Sequence, residues 1–228
     1  MKRFWKDVTV DADRVVRLDG RPVRTPGRTP LQLPNGALAT AIAEEWQAVG
    51  ETLDPRAMPL TGLANAAIDR VATDHAAFAR GIAAYGESDL LCYRAESPVE
   101  LAQREAAAWD PLLAWARDRY DVHFEITSGV MHRPQPETTV ARLAEAVAAR
   151  SSFSLVAFQP LVSISGTLVG SLALAEGAID ADTLWQAALV DEAWQAELWG
   201  EDALATEARN NRRRDFDAAA RFLRLATD

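Results

Sequence analysis

From Ser151 to Ala175 the chain runs for 25 residues without one Asp, Glu, Lys or Arg, although a quarter of all its residues are charged. A stretch that long without a charge is buried either in a bilayer or in a protein core, and 25 residues are enough to cross a membrane as a helix. Six serines, Thr167 and the pair Gln159-Pro160 in its middle argue for the core. The part beyond Pro160 is too short to span, so no membrane insertion is expected. The stretch reads as a buried helix beginning near residue 160, in which Gly166 and Gly170, four residues apart, let a neighbouring element approach closely. The rest of the chain must enclose it. At 228 residues there is material for one large domain or two small ones.

Strand-like runs come first. Val8 and Val10 alternate with polar residues, and Val15, Val16 and Leu18 lead into Asp19-Gly20, a two-residue hairpin signal, with Pro22 to Thr25 beyond it. Leu31 to Leu33 reads as a further short strand, ended by Pro34-Asn35-Gly36. Prolines at 22, 26, 30 and 34 favour edge strands and short ladders. Helical spacing then takes over: Leu38, Ile42, Trp46 and Val49 recur every three or four residues, with Glu44 and a solvated Glu45 beside them. Thr61 is placed to cap a helix through Val71, and Ser97-Pro98-Val99-Glu100 has the composition of a helix start. Pro111 is expected to break that helix and restart it. Val122, Phe124 and Ile126 alternate as a strand, and helices follow at about 137–150, 160–175, 180–199 and 209–226. The expected class is α+β: a small β-rich N-terminal domain over 1–60, then a mainly α-helical orthogonal bundle over 61–228.

The chemistry of catalysis is mostly missing. His75, His123 and His132 stand apart without metal-ligand spacing, and the single cysteine, Cys92, lies among apolar neighbours as a core residue would. There is no phosphate-cradling glycine loop ending in lysine and no nucleophile-elbow serine. No catalytic, cofactor or metal residue is therefore assigned, and no cofactor or small-molecule substrate is expected. A net charge of −9 argues against binding to nucleic acid. The N-terminus has no apolar secretory core and too little length before the first strand for a transit peptide, so neither is expected.

Asp180 to Gly200 stands out instead. Read as one helix, it gathers Leu184, Trp185, Ala188, Leu189, Ala193, Ala196 and Trp199 on one arc, with Glu192 in the middle and Asp191 at the edge. A carboxylate centred among tryptophans is either paired internally, with Arg94 or the Arg212–Arg214 run, or presented to another molecule. From Glu176 to Glu207 there are nine acidic residues and no Lys or Arg, and then Arg209, Arg212, Arg213 and Arg214 follow. Two helix faces neutralising each other explain this pattern; so does an acidic, aromatic docking surface. A small hydrolase or isomerase using Glu192 as general acid is the alternative from another class. An enclosed pocket with convergent polar groups would mark it.

The order of landmarks resembles the assembly chaperones of the F-type ATP synthase, factors that bind the free alpha subunit. They are Arg21-Pro22-Val23-Arg24-Thr25-Pro26, Ala43-Glu44-Glu45-Trp46, and Met58-Pro59-Leu60-Thr61 with Asn65 and Asp69. Asp89-Leu90-Leu91-Cys92-Tyr93-Arg94, Trp109-Asp110-Pro111-Leu112, and Asp191-Glu192-Ala193-Trp194-Gln195 with Trp199-Gly200 complete the series. The resemblance implies a non-enzymatic chaperone with a β-rich domain ahead of a helical bundle. Its partner would be the alpha subunit of the ATP synthase F1 sector, held until beta replaces it. An acidic position that matters in the family maps onto the Asp191-Glu192 pair. Partner contacts are therefore expected from Asp191, Glu192, Trp194, Trp199 and Trp185. Trp46, Arg94, Trp109 and Asp110 are expected to serve structure or partner contact. The resemblance places relatives in bacteria and in the mitochondrial matrix, and without a transit peptide here a bacterial cytoplasm is the expectation.

Overall fold

The computed structural model describes residues 2–129, 131–200 and 202–227. The class is α+β, with short strands near the N-terminus and helices thereafter. By proximity the residues form two compact units, the first made of 1–75, 150–158 and 215–228, the second of 76–149 and 159–214. The first unit thus contains all of the strand-rich segment 1–60 and adds to it a helical return and the end of the chain.

In the first unit, β1 (Val8–Val10), β2 (Val16–Leu18) and β3 (Arg21–Pro22) make an antiparallel sheet in that order, with Val8 opposite Leu18 and Leu18 opposite Arg21. Asp19 and Gly20 both have positive φ, 48° and 78°, as a tight turn matched to strand twist requires. The Asp19 carboxylate also accepts the Lys6 and Asp7 N–H groups, which hold its pKa below the ordinary range. Leu31 to Leu33 does not form the expected strand. Gln32 makes one bridge to Val15, and the prolines on both sides deny the segment a longer ladder, although Leu31 and Leu33 are buried.

Helix α1 (Gly36–Ala48) is capped by Asn35, whose side chain accepts from Leu38 N, and packs on β1 with Leu38 and Ile42 fully buried. Each such side chain contributes roughly 1.5–3 kcal/mol. Helix α2 (Pro59–Ala66) continues as a π-helical turn, Ala67–Val71. Its N-terminus corrects two expectations at once. Thr61 is not the cap, and Glu45 is not solvated. The Glu45 carboxylate reaches from α1 to accept Leu60 N at 2.8 Å, Thr61 N at 2.8 Å and Thr61 Oγ1 at 2.8 Å. A negative charge at a helix N-terminus satisfies orphan donors and opposes the helix dipole. A turn further on, Asp69 accepts Thr25 Oγ1 and Gly27 N, each at 2.7 Å. A side chain at residue 27 would stand 2.6 Å from Asp69 Oδ1, so the close approach demands glycine.

The second unit begins along α3 (His75–Ala83) and is built around α4 (Val99–Tyr120), which contacts α7, α8 and α9. Pro98, not Ser97, holds the cap position of α4, and no side chain bonds there. Pro111 lies inside α4 without ending it. Trp109, Leu112, Leu113 and Ala116 are all buried, and their packing offsets the hydrogen bond that proline removes. The expected strand at Val122 to Ile126 is also displaced. Val122 and Phe124 are buried in a loop, and the ladder is the next two residues, β5 (Thr127–Ser128), parallel to β4 (Tyr93–Arg94). Helix α5 covers Glu137–Ala148.

The charge-free stretch forms two helices, not one. Helix α6 (Ser152–Ser165) runs through Pro160, and α7 (Leu168–Ala175) starts after Gly166 turns at φ 72° and Thr167 caps it through Gly170 N. Nearly every residue of α7 is buried, and no described helix is long and apolar enough to cross a membrane. Gly170 makes the expected close approach: a Cβ there would meet Leu184 Cδ1 at 2.5 Å. Gly166 instead supplies the turn. Asp89, fully buried, accepts Leu91 N and Val169 N, tying the Asp89–Arg94 segment to the start of α7. Burial pushes its pKa up to about 6 against the pull of those N–H groups.

Glu45→Ala strips α2 of its cap and is expected to cost about 1–3 kcal/mol of stability. Glu44→Ala, at an exposed neighbour, should change stability by less than about 0.5 kcal/mol. Urea unfolding of the two variants checks the contrast.

Candidate partner-binding site

Asp180 to Gly200 is not one helix. Asp180 caps α8 (Ala181–Ala188) through Thr183 N, Leu189 leaves helical geometry at φ −108° and ψ 11°, and α9 (Val190–Trp199) begins again without a side-chain cap. The break resets the phase of the helical wheel, so residues before and after Leu189 share no single arc. Asp191 and Glu192 fall in the first turn of α9, where acidic side chains favour the positive end of the helix dipole.

The two carboxylates point to different partners. Glu192 is half-exposed and faces α10 (Ala203–Thr227): both its oxygens lie within hydrogen-bond reach of Arg212 Nη2, at 2.6 and 2.8 Å, with Arg209 Nε 3.7 Å away. Arg213 pairs with Asp182 and lies over the Trp185 ring at 5.2 Å. The acidic stretch and the arginine run therefore do neutralise each other, and the pairing expected for Glu192 is with Arg212 and Arg209, not Arg94. The Glu192 oxygens are taken up by guanidinium groups, beside an open cleft.

Asp191 faces α4, where it lies against Glu105. Glu105 is 2% exposed and accepts Ala95 N at 2.8 Å. Burial and the Asp191 carboxyl push the Glu105 pKa up, while Ala95 N–H and Arg94 pull it down. Asp191 Oδ1 is buried without a donor of its own. Burial and the facing Asp191 carboxyl favour the protonated form of Glu105, and that form can donate to this oxygen. Glu105 escaped the sequence reading, yet its signal was there. It stands four residues before Trp109 and seven before Leu112, in the buried stripe of α4. It is the carboxylate that really sits on an apolar face.

Trp109 is the hub of this region. It is 1% exposed, its Nε1 donates to Ala187 O of α8 at 2.7 Å, and the Arg94 guanidinium lies 4.8 Å from its ring centroid. Arg94, its side chain 9% exposed, donates to Asp110 Oδ1 at 2.7 Å. These three residues hold β4, α4 and α8 together. Trp194 is half-buried under Arg104, 4.7 Å from its ring, and Arg104 pairs with Glu197 at 2.8 Å. Trp46 belongs to the first unit, where its ring meets Trp5 at 5.3 Å and its carbonyl accepts the Trp5 Nε1–H.

Of the five residues expected on a docking face, Trp199 is the exposed one, at 78%. Leu198 and Leu204 are exposed with it. Trp199 lines a cleft of about 400 Å³ together with Glu192, Gln195, Asp202, Arg209 and Arg212 among others. An exposed indole beside a paired carboxylate and guanidinium has the make-up of an interface edge, apolar surface with a polar rim.

The Glu105 pKa is raised in the folded protein above its ordinary 4.5. The native state therefore holds a proton that the unfolded chain has released, and stability falls as pH rises from about 4.5 through the raised value. Glu105→Gln keeps the acceptor for Ala95 N and can donate to Asp191. Its stability is expected to lose that part of the pH dependence and to exceed the parent's above the window. Unfolding midpoints in urea from pH 4 to 8 for both proteins test this.

The family profile described as ATP12 chaperone protein matches residues 2–117. The crystal structure of Atp12 from Paracoccus denitrificans is similar with a TM-score of 0.93 and 42% identity, covering 99% of this chain and 98% of that one. An Asp-to-Lys variant of P. denitrificans Atp12p gives a TM-score of 0.95 at 42% identity, covering 99% and 97%. The mitochondrial protein atp12 of Schizosaccharomyces pombe is 23% identical over 219 residues, spanning 89% of this chain and 75% of its own. With a profile match over more than half its length and near-complete structural coverage by a 42% identical relative, the chain belongs to the ATP12 chaperone family, the assembly chaperones of ATP synthase.

Proposed function

We propose that this chaperone captures the unassembled alpha subunit of the F1 sector, without consuming ATP or catalysing a chemical step, and yields it when the beta subunit binds. Family membership supports the chaperone role; the observation that carries a docking role is Trp199, 78% exposed on the wall of the Glu192–Arg212 cleft. An orphan subunit exposes an apolar interface that aggregates. A chaperone that covers it must still release it, so moderate affinity is required. An interface with a small aromatic centre and charges already paired within the chaperone meets that need, because the rim charges add little net affinity. In this reading Trp199 is the aromatic centre and Glu192 with Arg212 its rim, while Trp194, Asp191, Trp185 and Trp109 pack the helices that carry it. The setting proposed is the bacterial cytoplasm, with the mitochondrial relative in an organelle.

Co-purification with the alpha subunit, with and without beta as competitor, tests the reading. Capture that beta reverses is the expected result; absence of capture, or capture that beta cannot displace, rules it out. Trp199→Ala combined with Leu204→Ala is expected to weaken capture about tenfold or more. Stability should stay within about 0.5 kcal/mol, since both side chains are exposed. Full retention of capture by that variant moves the docking surface elsewhere.

A further inference from the structure

The first unit carries a second candidate surface. Two clefts adjoin there and share Arg24 and Trp46. One, of about 380 Å³, is lined by Pro26, Leu53, Pro55, Met58, Thr61 and Asn65 together with the shared pair. The other, of about 290 Å³, is lined by Phe4, Leu18, Arg21, Pro22 and Val23 with the same pair. Phe4 is 67% exposed.

Two residues that line the first cleft each carry a buried polar atom with no hydrogen-bond partner among the described residues: Trp46 Nε1, a donor, and Asn65 Oδ1, an acceptor. Buried polar atoms are almost always paired, so two orphans on residues lining one cleft call for an explanation. A peptide group answers both, because its C=O accepts from an indole N–H and its N–H donates to a carboxamide oxygen. An extended chain also places side chains i and i+2 on the same side, which suits two apolar clefts in a row.

Charge narrows the partner further. Residues 1–35 hold eight Lys or Arg against four Asp, in a chain whose net charge is −9. Arg21 and Arg24 stand on the cleft walls. The excess of cation is local to this end and would draw a segment that carries carboxylates.

We propose that the Trp46–Asn65 groove binds an extended segment of the client polypeptide, one with two bulky apolar side chains at alternate positions and an acidic residue beside them. The peptide backbone hydrogen-bonds to Trp46 Nε1 and to the Asn65 carboxamide, the apolar side chains fill the two clefts, and Arg24 or Arg21 meets the carboxylate. The choice of client rests on the proposed function; the groove chemistry does not.

An array of overlapping twelve-residue peptides covering the alpha subunit, probed with the full-length chaperone, tests the proposal. Peptides combining alternate apolar residues with Asp or Glu are expected to bind. Arg24→Glu should abolish their advantage over neutral peptides. Asn65→Leu should weaken binding about tenfold while the free protein stays as stable as the parent or more so, because an unpartnered buried acceptor has been removed. Three outcomes overturn the proposal: no peptide binds although whole alpha subunit is captured; both variants bind peptides as the parent does; or Asn65→Leu lowers the melting temperature, which would make Asn65 a structural residue. Failure to capture whole alpha subunit together with selective peptide binding would instead remove the choice of client and leave the groove.

Discussion

A chain with so little regular ladder must satisfy its backbone N–H groups by other means, and here carboxylates do it. The N-terminal strands are two or three residues long, so most of the backbone around them cannot pair in a sheet. Asp11 accepts Val15 N, Asp19 accepts Lys6 and Asp7 N, Asp69 accepts Gly27 N, and Glu45 accepts Leu60 and Thr61 N. In the second unit Asp89 serves Leu91 and Val169, and Glu105 serves Ala95. Each link joins segments far apart in sequence, or holds a turn in shape, with charge-assisted bonds stronger than neutral ones. The acidic net charge of the chain is partly the cost of building irregular structure in this way.

The same device explains why Asp191 and Glu192, adjacent in sequence, serve different ends. Both sit at the start of a helix whose dipole favours them. Asp191 turns inward to a buried carboxyl on α4, close to the Trp109 hub, whereas Glu192 turns to arginines on α10. The first belongs to the packing of the second unit. The second belongs to the rim of an exposed aromatic surface. Charges neutralised within the chain in this way add little to the attraction of any other molecule.

Several shared landmarks prove to be one physical feature seen in separate stretches of sequence. Thr25 and Gly27 meet Asp69; Glu45 meets Leu60 and Thr61; Arg94 meets Trp109 and Asp110. What a linear reading takes as six motifs is a small number of carboxylate caps and one tryptophan–arginine hub. These are framework contacts, and they position exposed residues that the motifs contain only in part.

By itself the sequence determined the α+β class, the Asp19-Gly20 hairpin, the amphipathic α1, the burial of Cys92 and of the charge-free stretch, and the family. All of these follow from local signals: turn residues, periodicity, absence of charge, and the order of motifs. Tertiary structure decided the rest. Pro111 and Pro160 stay inside helices because buried neighbours outweigh one lost hydrogen bond, and no local rule measures that packing. Glu45 became a cap because α2 happened to start within its reach. Glu192 left its apolar arc because the chain breaks at Leu189, which carries neither proline nor glycine to announce it. A helical wheel is valid only as far as the helix is continuous, and continuity is settled by packing between elements.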